Sequence, residues 1–151
     1  MFHSRTLNSR INRLHERALR ITYKNANISF NELLEMDGTF TIHHKNLQKL
    51  AIEIFKVVHG LGPASMSNIF QLSTYNGNLR YKTFKSSNVR TVYHGTETID
   101  FRGARLWDSI PLSIKETDSL STFKYNIKRW KPEGCLCRLC RTYIPSLGFI
   151  S

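Results

Sequence analysis

Leu7, Ile11, Leu14, Ala18 and Ile21 recur at alternating spacings of four and three. That rhythm lines one side of a helix over residues 7–24. Arg10, Arg13, Arg17, Arg20 and Lys24 keep the same spacing, displaced by one residue. They make a basic stripe about 100° round the helix from the apolar one. With the apolar stripe inward, each cation buries its stem beside the core and holds its head outward.

Further elements follow from local signals. Ser29-Phe30-Asn31-Glu32 has the form of a capping box, so a short helix starts there and stops at Gly38. Thr41 caps a third helix with Ile42, Leu47, Leu50, Ile54, Phe55 and Val58 inward and Gly60 past its end. Pro63 suits the first position of another short helix, through about Phe70. Residues 73–88 are polar around Asn76-Gly77-Asn78 and read as a flexible loop. Val89-Arg90-Thr91-Val92-Tyr93 alternates and is β-branched, so it reads as a strand. Residues 98–101 are its expected partner in a hairpin across His94-Gly95-Thr96-Glu97. Gly103 to Ile110 predicts a helical turn with Leu106 and Trp107 inward, ended by Pro111. Ser119 or Ser121 caps a last helix to about Trp130, with Leu120, Phe123, Ile127 and Trp130 on one face. No internal repeat is visible. The expected class is mainly α (α+β). It is a small helical domain over 1–131 with a short β-hairpin, then a cysteine-containing tail over 132–151.

Hydrophobic residues make up 40% of the 151-residue chain, with nine Phe, six Tyr and two Trp. That is too apolar for a wholly disordered chain. No apolar run approaches the ~18 residues of a membrane span, and the first residues lack the apolar core of a signal peptide. These features predict an intracellular protein, nuclear or cytoplasmic, with no membrane partner. Charge sharpens the picture. Twenty-two Lys and Arg against eleven Asp and Glu give a net charge of +11, which favours an anionic partner, RNA or DNA before others. Residues 1–25 carry six basic groups and one acid, and residues 119–151 repeat that ratio. The second cluster is Lys124, Lys128, Arg129, Lys131, Arg138 and Arg141. It lies beside Tyr125, Trp130 and Tyr143, and aromatic rings near cations can stack on unpaired bases. Trp130 also continues the Phe123–Ile127 stripe, which reads as core packing. Either basic run is equally the form of a solvated helix face.

Cys137 and Cys140 have the Cys-x-x-Cys spacing of zinc knuckles, and Cys135 adds a third thiol. A structural zinc site takes four ligands, and no fourth lies nearby in sequence. His94 is closest; His43, His44, His59 or a second chain would have to complete the site. The competing reading is a reduced cysteine cluster, its thiol pKa lowered by Arg138 and Arg141. The adjacent His43 and His44 make a poor joint ligand pair on a helix, where one ring packs and one faces solvent. There is no Asp-Asp pair, no phosphate-cradling glycine loop and no Gly-x-Ser-x-Gly. Nothing here predicts an active site.

Several stretches share one order with a known family. They are Arg13-Leu14-His15-Glu16-Arg17-Ala18-Leu19-Arg20, Ser29-Phe30-Asn31-Glu32-Leu33-Leu34, Thr41-Ile42-His43-His44 with Asn46-Leu47-Gln48-Lys49-Leu50-Ala51, Asn88 to Glu97, Trp107-Asp108-Ser109-Ile110-Pro111 and the tail Trp130 to Cys140 with Tyr143-Ile144-Pro145. The set resembles the region downstream of the polymerase core in LINE-type (non-LTR) retrotransposon reverse transcriptases, the jockey-like group above all. The resemblance implies a post-polymerase C-terminal segment, with Met1 falling inside what is normally continuous coding sequence. The family's RNA-directed DNA polymerase chemistry uses palm aspartates, usually in Tyr-x-Asp-Asp, to hold two metal ions. That motif is absent here, so none of the family's catalytic residues carries over. What carries over is the cysteine cluster and a supporting role in binding template RNA or target DNA, with the parent's polymerase core as a partner. Two other readings stand beside it. One is an interaction module whose open Leu7–Ile21 stripe docks on a partner. The other is a small zinc or redox protein centred on Cys135, Cys137 and Cys140.

Overall fold

The computed structural model describes residues 5–71, 84–85 and 99–131. The helices are α1 (Arg5–Tyr23), α2 (Phe30–Met36), α3 (Ile42–Val58), α4 (Ala64–Ser67), α5 (Ile99–Ser109), α6 (Leu112–Lys115) and α7 (Leu120–Arg129). The chain divides into two compact units, one made by the described residues through Leu47 with Lys131 and the other by Gln48–Trp130.

In the first unit α1 packs against α2. Leu19, Leu33 and Leu34 are buried, with Tyr23, Ile28 and Phe30 packed on them. The capping box forms as its residue types require. The Ser29 hydroxyl accepts from Glu32 N at 3.3 Å, and the Glu32 carboxylate accepts from Ser29 N at 2.9 Å. Tyr23 donates its hydroxyl to Asp37 Oδ1 at 3.1 Å, tying the end of α1 to the end of α2. Thr41 caps α3, accepting from His44 N at 3.3 Å. His43 and His44 are both buried, where one ring was expected in solvent.

α1, α2 and α3 end alike. Asn25 N, Thr39 N and Leu61 N each donate to the carbonyl five residues back, at 3.3, 2.9 and 2.7 Å. Each donor follows a residue in the left-handed region: Lys24 (φ 49), Gly38 (φ 62) and Gly60 (φ 69). This is the Schellman closure, which satisfies carbonyls the helix leaves open.

The second unit is organised around aromatic rings. Phe55 stacks on Phe123 with centroids 4.1 Å apart, and Trp107 lies 6.1 Å from Phe123. Phe84 stands 6.0 Å from Trp107 and 5.6 Å from Phe70. Phe84 is thus a core residue, although residues 73–88 read as a polar loop. Lys85 N donates to the Gln71 carbonyl at 2.8 Å, and residues 73–83 and 86–88 lie outside the described residues. α7 is capped by Ser119, which accepts from Thr122 N at 3.1 Å. Its far end is closed by Gln48, whose amide nitrogen donates to the carbonyls of Lys128 and Trp130 at 3.2 and 3.1 Å.

The β-hairpin requires correction. Ile99, Asp100 and Phe101 form the first turn of α5, so the expected second strand is helical. No strand occurs among the described residues. The expected first strand, Val89–Tyr93, lies outside them. Burial of Gly103, Leu106 and Trp107 on one face of α5 draws Ile99–Phe101 into its first turn, over their weak local strand preference. The mainly α class stands and its α+β qualification does not.

Candidate nucleic-acid interface

α1 turns a different side inward from the one its hydropathy predicts. Asn8, Asn12 and Leu19 are only 3%, 5% and 6% exposed, while Leu7, Leu14 and Ile21 are 43%, 63% and 77% exposed. The cause is the contact with α2. Leu19 is held among Leu33 and Leu34, and a residue two positions along a helix points roughly 160° away. Ile21 therefore faces outward, and Leu14 and Leu7 follow at heptad spacing with about 20° of drift each. Burying polar groups instead carries a cost. Asn12 Oδ1 and His15 Nδ1 are buried without a hydrogen-bond partner among the described residues. His15 packs edge-on against Phe30 with centroids 5.8 Å apart. Burial, then the Lys45 charge, lower its pKa from the ordinary 6.5, and Asp37 opposes them.

This rotation decides what each arginine can do. Arg10, Arg13 and Arg17 are exposed, on the side of α1 away from Leu19 and beside Leu14 and Ile21 rather than beside the core. No carboxylate among the described residues pairs with them. Arg20 differs. Its guanidinium meets Glu16 Oε1 at 2.7 Å and donates to the carbonyl of Ala26, so it holds the turn that leads to α2. Lys24 lies one residue past the helix end with positive φ, exposed but off the stripe.

The second cluster sits on α7 and after it. Lys124, Tyr125, Lys128 and Arg129 are exposed, as is Lys131 beyond the helix. Phe123 and Ile127 are fully buried and fix the opposite side. Arg129 lies over the Tyr125 ring, 3.7 Å from its centroid. Trp130 is half-buried, in keeping with its place on the inward stripe. The described parts of the two basic clusters are thus three exposed arginines on α1 and a cation–aromatic set on α7. Hydropathy alone could not find which side of α1 is outward. The signal was the pair Leu19 and Tyr23, which competes with the longer stripe.

Arg138, Arg141, Cys135, Cys137 and Cys140 lie outside the described residues, as does His94. Among the described residues no three His, Cys, Asp or Glu side chains are grouped to hold a metal ion, and no helix is long and apolar enough to cross a membrane. His59, at the end of α3, stacks on Phe55 at 3.9 Å with its Nδ1 3.0 Å from the Phe55 carbonyl. Comparison with family models, with curated proteins and with solved structures found no match to this chain.

Proposed function

We propose that this chain is a non-catalytic nucleic-acid-binding segment that assists the polymerase of a retrotransposon enzyme of the kind it resembles. The observation that carries the binding role is the outward side of α1. Three arginines, Arg10, Arg13 and Arg17, stand exposed there with no carboxylate partner among the described residues. They span about 10 Å of helix at 1.5 Å per residue, enough to follow a few successive phosphates. Arginine adds bidentate hydrogen bonds to the charge attraction.

Arg20 is left unchanged in the test because its loss would free the α1–α2 turn. The variant Arg10→Glu, Arg13→Glu, Arg17→Glu is expected to bind RNA and DNA markedly more weakly. The arginine side chains face solvent, so its thermal stability should stay near that of the parent. Its salt slope should shrink by roughly 2 to 3, at about 0.7 to 0.9 per phosphate contact. Unchanged affinity and slope would contradict the proposal.

A second reading has its own observation. Leu7, Leu14 and Ile21 form an exposed apolar line beside those arginines, and such a line is the form of a docking face. On this reading α1 seats against the polymerase core of the parent element. The zinc or redox reading rests wholly on the tail cysteines.

A further inference from the structure

Tyr125 is 57% exposed on a helix whose other side is locked. Phe123 and Ile127 are fully buried beneath it, and Gln48 closes the helix end. One face of the tyrosine ring carries the Arg129 guanidinium at 3.7 Å. Lys124 and Lys128 are exposed one residue before it and three after. α7 contains no acidic residue. The simplest alternative is an ordinary side-chain pair four residues apart on one helix face. That alternative accounts for Arg129 over the ring, but not for a large ring kept in solvent among cations on a helix with no acidic side chain of its own.

We infer that the Tyr125–Arg129 pair is a stacking platform for an unpaired base, and that the nucleic acid taken by this unit is single-stranded. This rests on the nucleic-acid reading above and narrows it. In a duplex the base faces are already stacked on one another, so a solvent-facing tyrosine gains nothing there. In a single strand each base offers a free face, and an aromatic ring flanked by cations takes base and phosphates together. Arg129 holds the ring in place and adds positive charge beside the stacked base. An acidic protein surface would use the lysines but not the ring.

The test uses the whole chain with a single-stranded oligonucleotide carrying 2-aminopurine, a hairpin duplex of equal length, and polyglutamate as competitor. Tyr125→Ala is expected to weaken single-strand binding roughly 5- to 150-fold, the worth of one stacked base. It should abolish the 2-aminopurine quench and leave duplex binding unchanged. Tyr125→Phe is expected to restore both affinity and quench, which separates stacking from any loss of fold. Equal losses on single strand and duplex would overturn the inference. So would single-strand affinity within twofold of the parent, or polyglutamate competing as well as the oligonucleotide. If the parent chain binds neither nucleic acid, the functional reading fails and the inference goes with it. If the parent binds but Tyr125→Ala is silent, only the inference fails.

Discussion

Gly103 sits inside α5 with the Phe70 ring where a methyl group would go. A Cβ there would stand 2.7 Å from Phe70 Cζ and 3.3 Å from Ile54 Cδ1. Alanine would gain about 1 kcal/mol of helix propensity, but overpacking a filled core costs typically 1–3 kcal/mol. Gly103→Ala is therefore expected to destabilise the protein by on the order of 1 kcal/mol in chemical denaturation, and a stabilised variant would contradict the packing described. His15 supplies a second residue-level prediction. Its pKa is lowered in the folded state, so the unfolded chain binds more protons over the window below the ordinary 6.5. Stability from this group is complete above that value and is lost as pH falls through it toward the folded pKa. The melting temperature should drop on acidification from about pH 7.5 to about pH 5, and His15→Gln should drop less. Equal drops would show that His15 does not titrate between the two states.

At the scale of elements, local chemistry was legible in the sequence. Ser29 with Glu32, Thr41 and Ser119 each cap the helix expected of them, because a cap needs only residues within a few positions. Gly38 and Gly60 end helices for a similar reason. Lys24 gave no such signal, because its positive φ is imposed by the closure on Arg20 and Ile21, a conformation that lysine does not advertise. The hairpin failed because Ile99–Phe101 of its expected second strand are taken into the first turn of α5, whose buried face carries Gly103, Leu106 and Trp107. The rotation of α1 was illegible for a different reason. Leu7, Leu14 and Ile21 make the better stripe on paper, yet burial is decided by what α2 offers to Leu19. In the candidate site the residue types were legible while their roles were not: Arg20 braces a turn, and Arg10, Arg13 and Arg17 face solvent. If the exposed line on α1 is a docking face, the isolated chain should self-associate at micromolar concentration. The double variant Leu14→Ser, Ile21→Ser should then sediment as a monomer. A parent chain that is already monomeric would count against docking.

On the scale of the whole molecule, charge is the dominant property. A net charge of +11 over 151 residues raises the local concentration of any polyanion and speeds its capture, in a manner that falls with ionic strength. α1 in one unit and α7 in the other are both basic helices. α1 offers charge beside apolar side chains, whereas α7 offers charge beside an aromatic ring. On the proposed reading the two helices act differently, α1 tracking phosphates and α7 holding a base. On that reading charge brings nucleic acid near, and the site-specific part comes from those named side chains. The most direct measurement is the affinity of the intact chain for single-stranded RNA across a salt series, followed by fluorescence anisotropy. Tight binding is expected at low salt, with a log–log slope of roughly −2 to −4, the release expected for three to six phosphates. Absence of binding at low salt, or an affinity that does not change with salt, would contradict the nucleic-acid-binding role.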